Sequence, residues 1–211
     1  MKRYFLIRHA QTQWNGENRL QGCSDLPLSP LGVQQAERLG TYFATRQLTE
    51  IFTSHLQRSQ QTAQAIVAGN GHRLAPSIEP ELREMHLGCW EGLTPEEIDA
   101  RYDGAYQQWA SRPSTVRIAN AEPHEAFRAR VRDVWHQLLA VRLEGDYAIV
   151  THGGVIAAIL AELLGADYDA MLRRVRLDNA GITALELPSG GGHPYVLWMN
   201  DTQHLAGLAS A

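Results

Sequence analysis

Two short runs of consecutive apolar residues stand out along the chain: RYFLIR at 3–8 and DYAIVTH at 146–152. Unbroken runs of this length, rich in aromatic and β-branched residues, predict strands buried on both faces. Residues 9–28 then turn polar around Asn15, Gly16, Asn18 and Gly22, which predicts a loop of functional length. Ser29-Pro30 has the chemistry of a helix cap followed by a first-turn proline. The spacing of Leu31, Ala36, Leu39 and Phe43 extends that helix to about Arg46. Residues 50–54 predict a second strand and 56–69 a helix closed by Gly69 or Gly71. Residues 73–78 predict a third strand, which Pro76 confines to an edge or an end.

Between Glu79 and Ala121 the pattern loses its period. Glycines, prolines, Trp90, Trp109 and a short helical stretch at 94–102 predict a helical cap, an insertion at about 93–122 within a single domain spanning 1–211. Residues 122–143 are amphipathic, with Phe127, Val131, Val134, Trp135 and Leu138 on one side of a long helix. Residues 153–165 predict an apolar helix ended by Gly165. Residues 181–187 and 195–200 predict two strands joined by a glycine-rich turn at 189–192. Alternating strands and helices predict an α/β fold, a three-layer α/β/α sandwich whose central sheet is mostly parallel with one antiparallel edge strand.

Composition narrows the partners. A chain of 211 residues with 44% hydrophobic and 20% charged residues is ordinary for a folded domain. The net charge of −4 argues against a nucleic-acid-binding face, although it says nothing about a local basic pocket. No run approaches 18 apolar residues, so no membrane association is expected. Cys23 and Cys89 lack the CxxC spacing of a zinc or redox site and the density of a disulfide scaffold. With no leader in the first residues, a cytoplasmic location is the expectation. Assembly as a homodimer is left open.

The candidate chemistry lies where strands end. His9 follows strand 3–8 and His152 ends strand 146–151; in open parallel sheets, ligands bind beyond the carboxyl ends of strands. Arg8, closing an apolar strand, is costly to bury unless an anion meets it. Arg58 sits near the start of the helix after strand 50–54; alone it would read as a solvated residue, and beside Arg8 it reads as a second clamp. Two guanidiniums and an imidazole can neutralise phosphoryl oxygens while a second, neutral imidazole attacks phosphorus. The free N–H groups of Gly153-Gly154, opening a helix, can add to the anion site. The leaving alkoxide needs a proton, and Glu84, Glu91, Glu81 and Glu97 all compete to give it. A zinc site from His9, His86, His152 and Cys89 matches no ligand spacing, and no P-loop, dinucleotide or serine-hydrolase motif is present, so neither metal nor cofactor is expected.

LIRHAQTQWN (6–15), DLPLSPLGVQQA (25–36), FTSHLQRSQQTA (52–63), ELREMHLGCWEG (81–92) and IVTHGG (149–154), in that order, together resemble the histidine phosphatase superfamily, also called phosphoglycerate-mutase-like. The resemblance runs along 3–155, and NDTQHL (200–205) is similar too. It implies a metal-independent phosphomonoesterase that acts on a small phosphorylated metabolite through a phosphohistidine. By position it implies His9 as nucleophile, Arg8, Arg58 and His152 as holders of the phosphoryl group, and Glu84 as the acid. It further implies Asn15, Gln21, Gly22 and Gly153 as contacts to substrate. The chain departs from the family's RHGET at Ala10 and at Gln11, which removes a negative charge expected near the pocket.

The length is that of the compact phosphatase branch, and 83–98 is similar to its broad-specificity members. Phosphatases specific for α-ribazole phosphate, phosphoserine or a phosphoglycerate derivative are alternatives, although Leu87 stands where the phosphoserine enzymes would carry histidine. A phosphoglycerate mutase is a second alternative and a non-catalytic phospho-ligand binder a third. Substrate choice is expected in the cap, where Tyr102, Tyr106 and Trp109 either stack on a ring or pack among themselves, and where Arg112 and Arg117 either read a carboxylate or face solvent.

Overall fold

The computed structural model describes residues 1–71, 74–140, 143–189 and 192–208. Six strands, β1 (Lys2–Arg8), β2 (Leu48–Thr53), β3 (Ser77–Ile78), β4 (Gly145–Thr151), β5 (Ile182–Leu187) and β6 (Tyr195–Asp201), form one sheet in the order β3-β2-β4-β1-β5-β6. β1, β2, β3 and β4 are mutually parallel; β5 runs against β1, and β6 against β5. The antiparallel pairing is thus confined to the β6 side of the sheet, and the strand that opposes its neighbours, β5, lies one in from the edge.

The two apolar runs are the centre of this sheet. β1 and β4 pair in register from Lys2 with Gly145 to Arg8 with Thr151. Successive side chains of a strand point to opposite faces, and both faces here are apolar. Tyr4, Leu6, Tyr147 and Ile149 pack against Phe127, Val131 and Trp135 of α6 (His124–Leu139) and Ile156 and Ile159 of α7 (Gly153–Leu164). On the other face, Phe5, Ile7, Ala148 and Val150 meet Ala36, Leu39 and Phe43 of α2 (Pro30–Phe43) and Ala63 and Ile66 of α3 (Gln57–Asn70). That is the three-layer sandwich, and it explains why these strands read as continuous apolar runs.

Several boundaries move. The third strand shrinks to Ser77–Ile78, with residue 73 outside the described residues. α6 ends at Leu139, three turns of amphipathic pattern having met the core by then. The loop 9–28 holds a one-turn helix, α1 (Gln13–Gly16), closed by a reciprocal Thr12–Asn15 capping box. The glycine-rich turn includes residues 190 and 191, outside the described residues. α8 (Tyr168–Arg174) was not expected: Asp167 caps it by accepting from the Ala170 N–H at 2.9 Å.

The segment expected as a cap carries α4 (Pro95–Arg101) and α5 (Ala105–Ser111). It has an apolar cluster of its own, in which Leu87, Trp90 and Ile98 pack with Tyr106, Trp109 and Ile118. Cys23 and Cys89 are free thiols. Among the described residues no helix is long and apolar enough to cross a membrane.

Ile149, fully buried in β4 between β1 and β2, is expected to lose about 2–5 kcal/mol of stability on replacement by alanine. Met199, 45% exposed on β6, is expected to lose no more than about 0.5 kcal/mol. Urea unfolding of the two variants checks both.

Candidate active site

Because β1 and β4 are parallel neighbours, the residues that follow them emerge together. The His9 N–H donates to the Thr151 carbonyl at 2.8 Å, and the His9 and His152 rings lie 5.1 Å apart, centroid to centroid. Both rings are buried, at 3% and 0% exposure. His9 lines a cavity of about 460 Å³ together with Arg8, Asn15, Gln21, Gly22, Arg58, Glu84, Gly153, Gly154 and Asn179, among others; His152, fully buried beside His9, is not part of the lining.

The hydrogen bonds fix what each ring can do. His9 Nδ1 lies 2.8 Å from the Ala10 carbonyl, which can only accept, so Nδ1 carries the proton and Nε2 the lone pair. Burial first, then Arg58 and Arg8, holds the His9 pKa well below the usual imidazole value of 6.5, so the ring is neutral at pH 7. His152 Nε2 meets the Ser54 hydroxyl at 2.8 Å, while its Nδ1 is buried with no partner. Ser59 Oγ also lies 3.3 Å from Nε2; with a hydroxyl donating there, Nδ1 bears the hydrogen and has no acceptor among the described residues. Burial, then Arg58 and His9, lowers the His152 pKa in the same way.

The guanidiniums are anchored by backbone carbonyls. Arg58, fully buried on α3, donates to Ser24 O and Gly22 O, each at 2.7 Å. Arg8 donates to Leu177 O at 2.6 Å. Neither forms an ion pair among the described residues, and the Nε of each is buried without a partner. Desolvation lowers both pKa values, yet an arginine stays charged at any physiological pH. The arrangement is two fixed cations and a ring N–H with donors to spare, which is the equipment of an oxyanion site.

Of the four competing acids only Glu84 lines the cavity. Its Oε1 accepts from the Met85 N–H at 2.9 Å and its Oε2 from the Gly154 N–H at 3.0 Å. A β-carbon at position 154 would push that carboxylate aside, so glycine lets Glu84 sit against the helix start. The Gly154 N–H is therefore committed to Glu84 rather than free for an anion as expected from the helix start. Glu81 pairs with Arg83, and Glu97 closes the cap of α4 and pairs with Arg19. Glu91 accepts from the Cys23 N–H, the Ser24 hydroxyl and the Leu87 N–H at 2.9, 2.6 and 3.0 Å. It thus fastens the loop whose carbonyls anchor Arg58. Gly22 in that loop has φ +51° and no room for a β-carbon beside Glu91.

Asn15 and Gln21 reach the cavity with their oxygens engaged: Asn15 Oδ1 accepts from the Thr12 N–H at 3.0 Å, and Gln21 Oε1 from the Thr12 hydroxyl at 2.8 Å. Gln11 turns away. Its side chain accepts from the Ser29 hydroxyl at 2.8 Å and its N–H donates to Gln35, so its lost charge lies against α2 rather than near the pocket. Ala10 is buried, its N–H held by Thr62. His86 is exposed, and neither it nor Cys89 lines the cavity. Asn179, missed in the sequence, donates to His9 O at 3.0 Å and to Asn15 Oδ1 at 3.3 Å. Its only signal is the Asp178–Gly181 turn before β5.

The model of the histidine phosphatase superfamily (branch 1) matches residues 4–202. A glucosyl-3-phosphoglycerate phosphatase of Mycolicibacterium vanbaalenii is 36% identical over 181 residues, 80% of this chain and 77% of its own. A 2-carboxy-D-arabinitol-1-phosphatase of Triticum aestivum is 33% identical over 202 residues, 94% of this chain, which spans 40% of that protein's length. A probable phosphoglycerate mutase of Enterobacter sp. is 31% identical over 186 residues, 88% of this chain and 85% of its own. The crystal structure of an α-ribazole phosphatase from Shigella flexneri superposes with a TM-score of 0.84 at 27% identity, covering 94% of this chain and 96% of that one. The chain belongs to the histidine phosphatase superfamily, within which it is a phosphoric monoester hydrolase.

The buried rings link stability to pH. Each binds its proton more weakly folded than unfolded, so the unfolded chain takes up more protons as pH falls through 6.5 and stability drops. The slope approaches about 1.4 kcal/mol per pH unit for each ring. His152→Gln is expected to flatten the dependence of unfolding free energy on pH between 7 and 5, measured by urea titration.

Proposed function

We propose that the protein hydrolyses small phosphomonoesters without a metal, through a phosphohistidine on His9. The observation that carries this reading is a neutral imidazole, with its Nε2 lone pair free, beside two guanidiniums that have no carboxylate partner among the described residues. Anionic esters repel nucleophiles; Arg8, Arg58 and His152 Nδ1 offset that charge on the phosphoryl oxygens. Nε2 forms the P–N bond as the bond to the leaving oxygen breaks. The ring becomes cationic in that step, and the Ala10 carbonyl stabilises the charge through Nδ1–H.

Glu84 supplies the proton to the departing oxygen. Its carboxylate then takes a proton from water, which attacks phosphorus, breaks the P–N bond and returns Nε2 to its resting state. Gly154 and Met85 hold the carboxyl in one orientation for both steps. Asn15, Gln21 and the Gly153 N–H complete the surroundings of the phosphoryl group, and Asn179 positions the His9 backbone. The relatives named as phosphatases differ in substrate, and in support of a broad range of small metabolites the cavity wall carries few charged groups beyond the phosphoryl end. Two free thiols suit a reducing, cytoplasmic compartment.

His9→Ala is expected to lower turnover of p-nitrophenyl phosphate at least about a hundredfold with the fold intact. Acid-labile label from a radioactive ester should appear on His9 in rapid-quench samples of wild type; turnover without such label would sink the covalent route. Glu84→Gln is expected to slow alkyl phosphates more than aryl phosphates, whose leaving groups need less protonation; equal losses would remove Glu84 as the acid. EDTA is expected to leave the rate unchanged.

A further inference from the structure

The cavity has two unlike halves. Arg8, His9 and Arg58 line the phosphoryl end, where Leu177 O holds Arg8, while the other half carries apolar Leu20, Met85, Leu87, Trp109, Leu172 and Val175 with Asn18 and Tyr168 beside them. The third lining cation is Arg19. Two of its nitrogens are engaged: Nη1 donates to Gly92 O at 2.7 Å and to Glu97 at 2.8 Å, and Nε donates to Glu17 at 3.1 Å. Two carboxylates therefore already meet one positive charge. Arg112 and Arg117, the cap's candidate readers of a carboxylate, are exposed and do not line the cavity. Trp109 lines it while packing edge-on against Trp90 and beside Tyr106, so the ring is braced as a fixed apolar face.

We propose, resting on the phosphomonoesterase reading, that the leaving-group half of the site selects uncharged, largely apolar alcohols. The favoured substrates are phosphate monoesters of neutral aromatic or aliphatic alcohols, and esters whose leaving group bears a carboxylate are disfavoured. A carboxylate entering this half loses water and meets apolar side chains, with Glu84 at the inner end and Glu97 behind Arg19. A neutral ring or chain instead gains by leaving water against Trp109 and the aliphatic wall. The cavity volume lies in the range of small-ligand pockets, which fits one ring or short chain beyond the phosphate.

The test compares kcat/KM for benzyl phosphate with that for O-phosphoserine and 3-phosphoglycerate, all of which leave as alkoxides, with p-nitrophenyl phosphate as a general reporter. Benzyl phosphate is expected to be preferred by at least about tenfold. Equal or better use of the carboxylate esters would overturn the inference while leaving the phosphatase reading intact. No turnover of any of the four would remove that reading and this inference with it. Leu172→Arg, or Val175→Lys should the first not fold, supplies an uncommitted cation. It is expected to shift the ratio about tenfold toward O-phosphoserine. That ratio is independent of the fraction of active protein, so an unchanged ratio counts against the inference.

Discussion

The molecule is organised around positive charge held out of water with no ion-pair partner among the described residues. Burying a guanidinium unpaired is among the costlier things a chain can do, and this one buries Arg58 fully and encloses Arg8 save where it opens on the cavity. Backbone carbonyls of Gly22, Ser24 and Leu177 satisfy the terminal nitrogens without cancelling the charge. The consequence is a standing demand for an anion. Burial first, and then the neighbouring arginines, keeps both imidazoles neutral.

That arrangement depends on the sheet. Parallel pairing of β1 with β4 brings two histidines separated by most of the chain to adjacent positions. Helices cover both faces of β1 and β4, and the cavity lies beyond the carboxyl ends of these strands. The acid arrives on a loop, fixed by the first turn of α7, so the helix that covers the sheet also sets Glu84.

The central strands were legible because burial on both faces forces unbroken apolar runs, and Arg8, His9 and His152 were legible because they end those runs. Arg58 could be read only beside Arg8, since burial of a lone arginine near a helix start leaves no trace in spacing. Glu84 and Glu91 are seven residues apart in one irregular stretch, and only tertiary contacts separate the residue facing the cavity from the one fastening a loop. Asn179 was invisible because its partners are a backbone carbonyl and a side chain more than 160 residues away. α8 is short and held by α7 and a single aspartate cap, which left too little periodicity to detect. Gln11 was placed near the pocket because its neighbours are there, yet a turn of the backbone sends its side chain to Ser29.

Glu91 joins two segments that have no covalent reason to move together. One oxygen receives amide hydrogens from both Cys23 and Leu87, and the other receives the Ser24 hydroxyl. The loop gripping Arg58 and the stretch descending from Glu84 are therefore buckled at a common point. The cavity wall at Leu87 and the carbonyls of Gly22 and Ser24 that anchor Arg58 thus share one carboxylate as their tie.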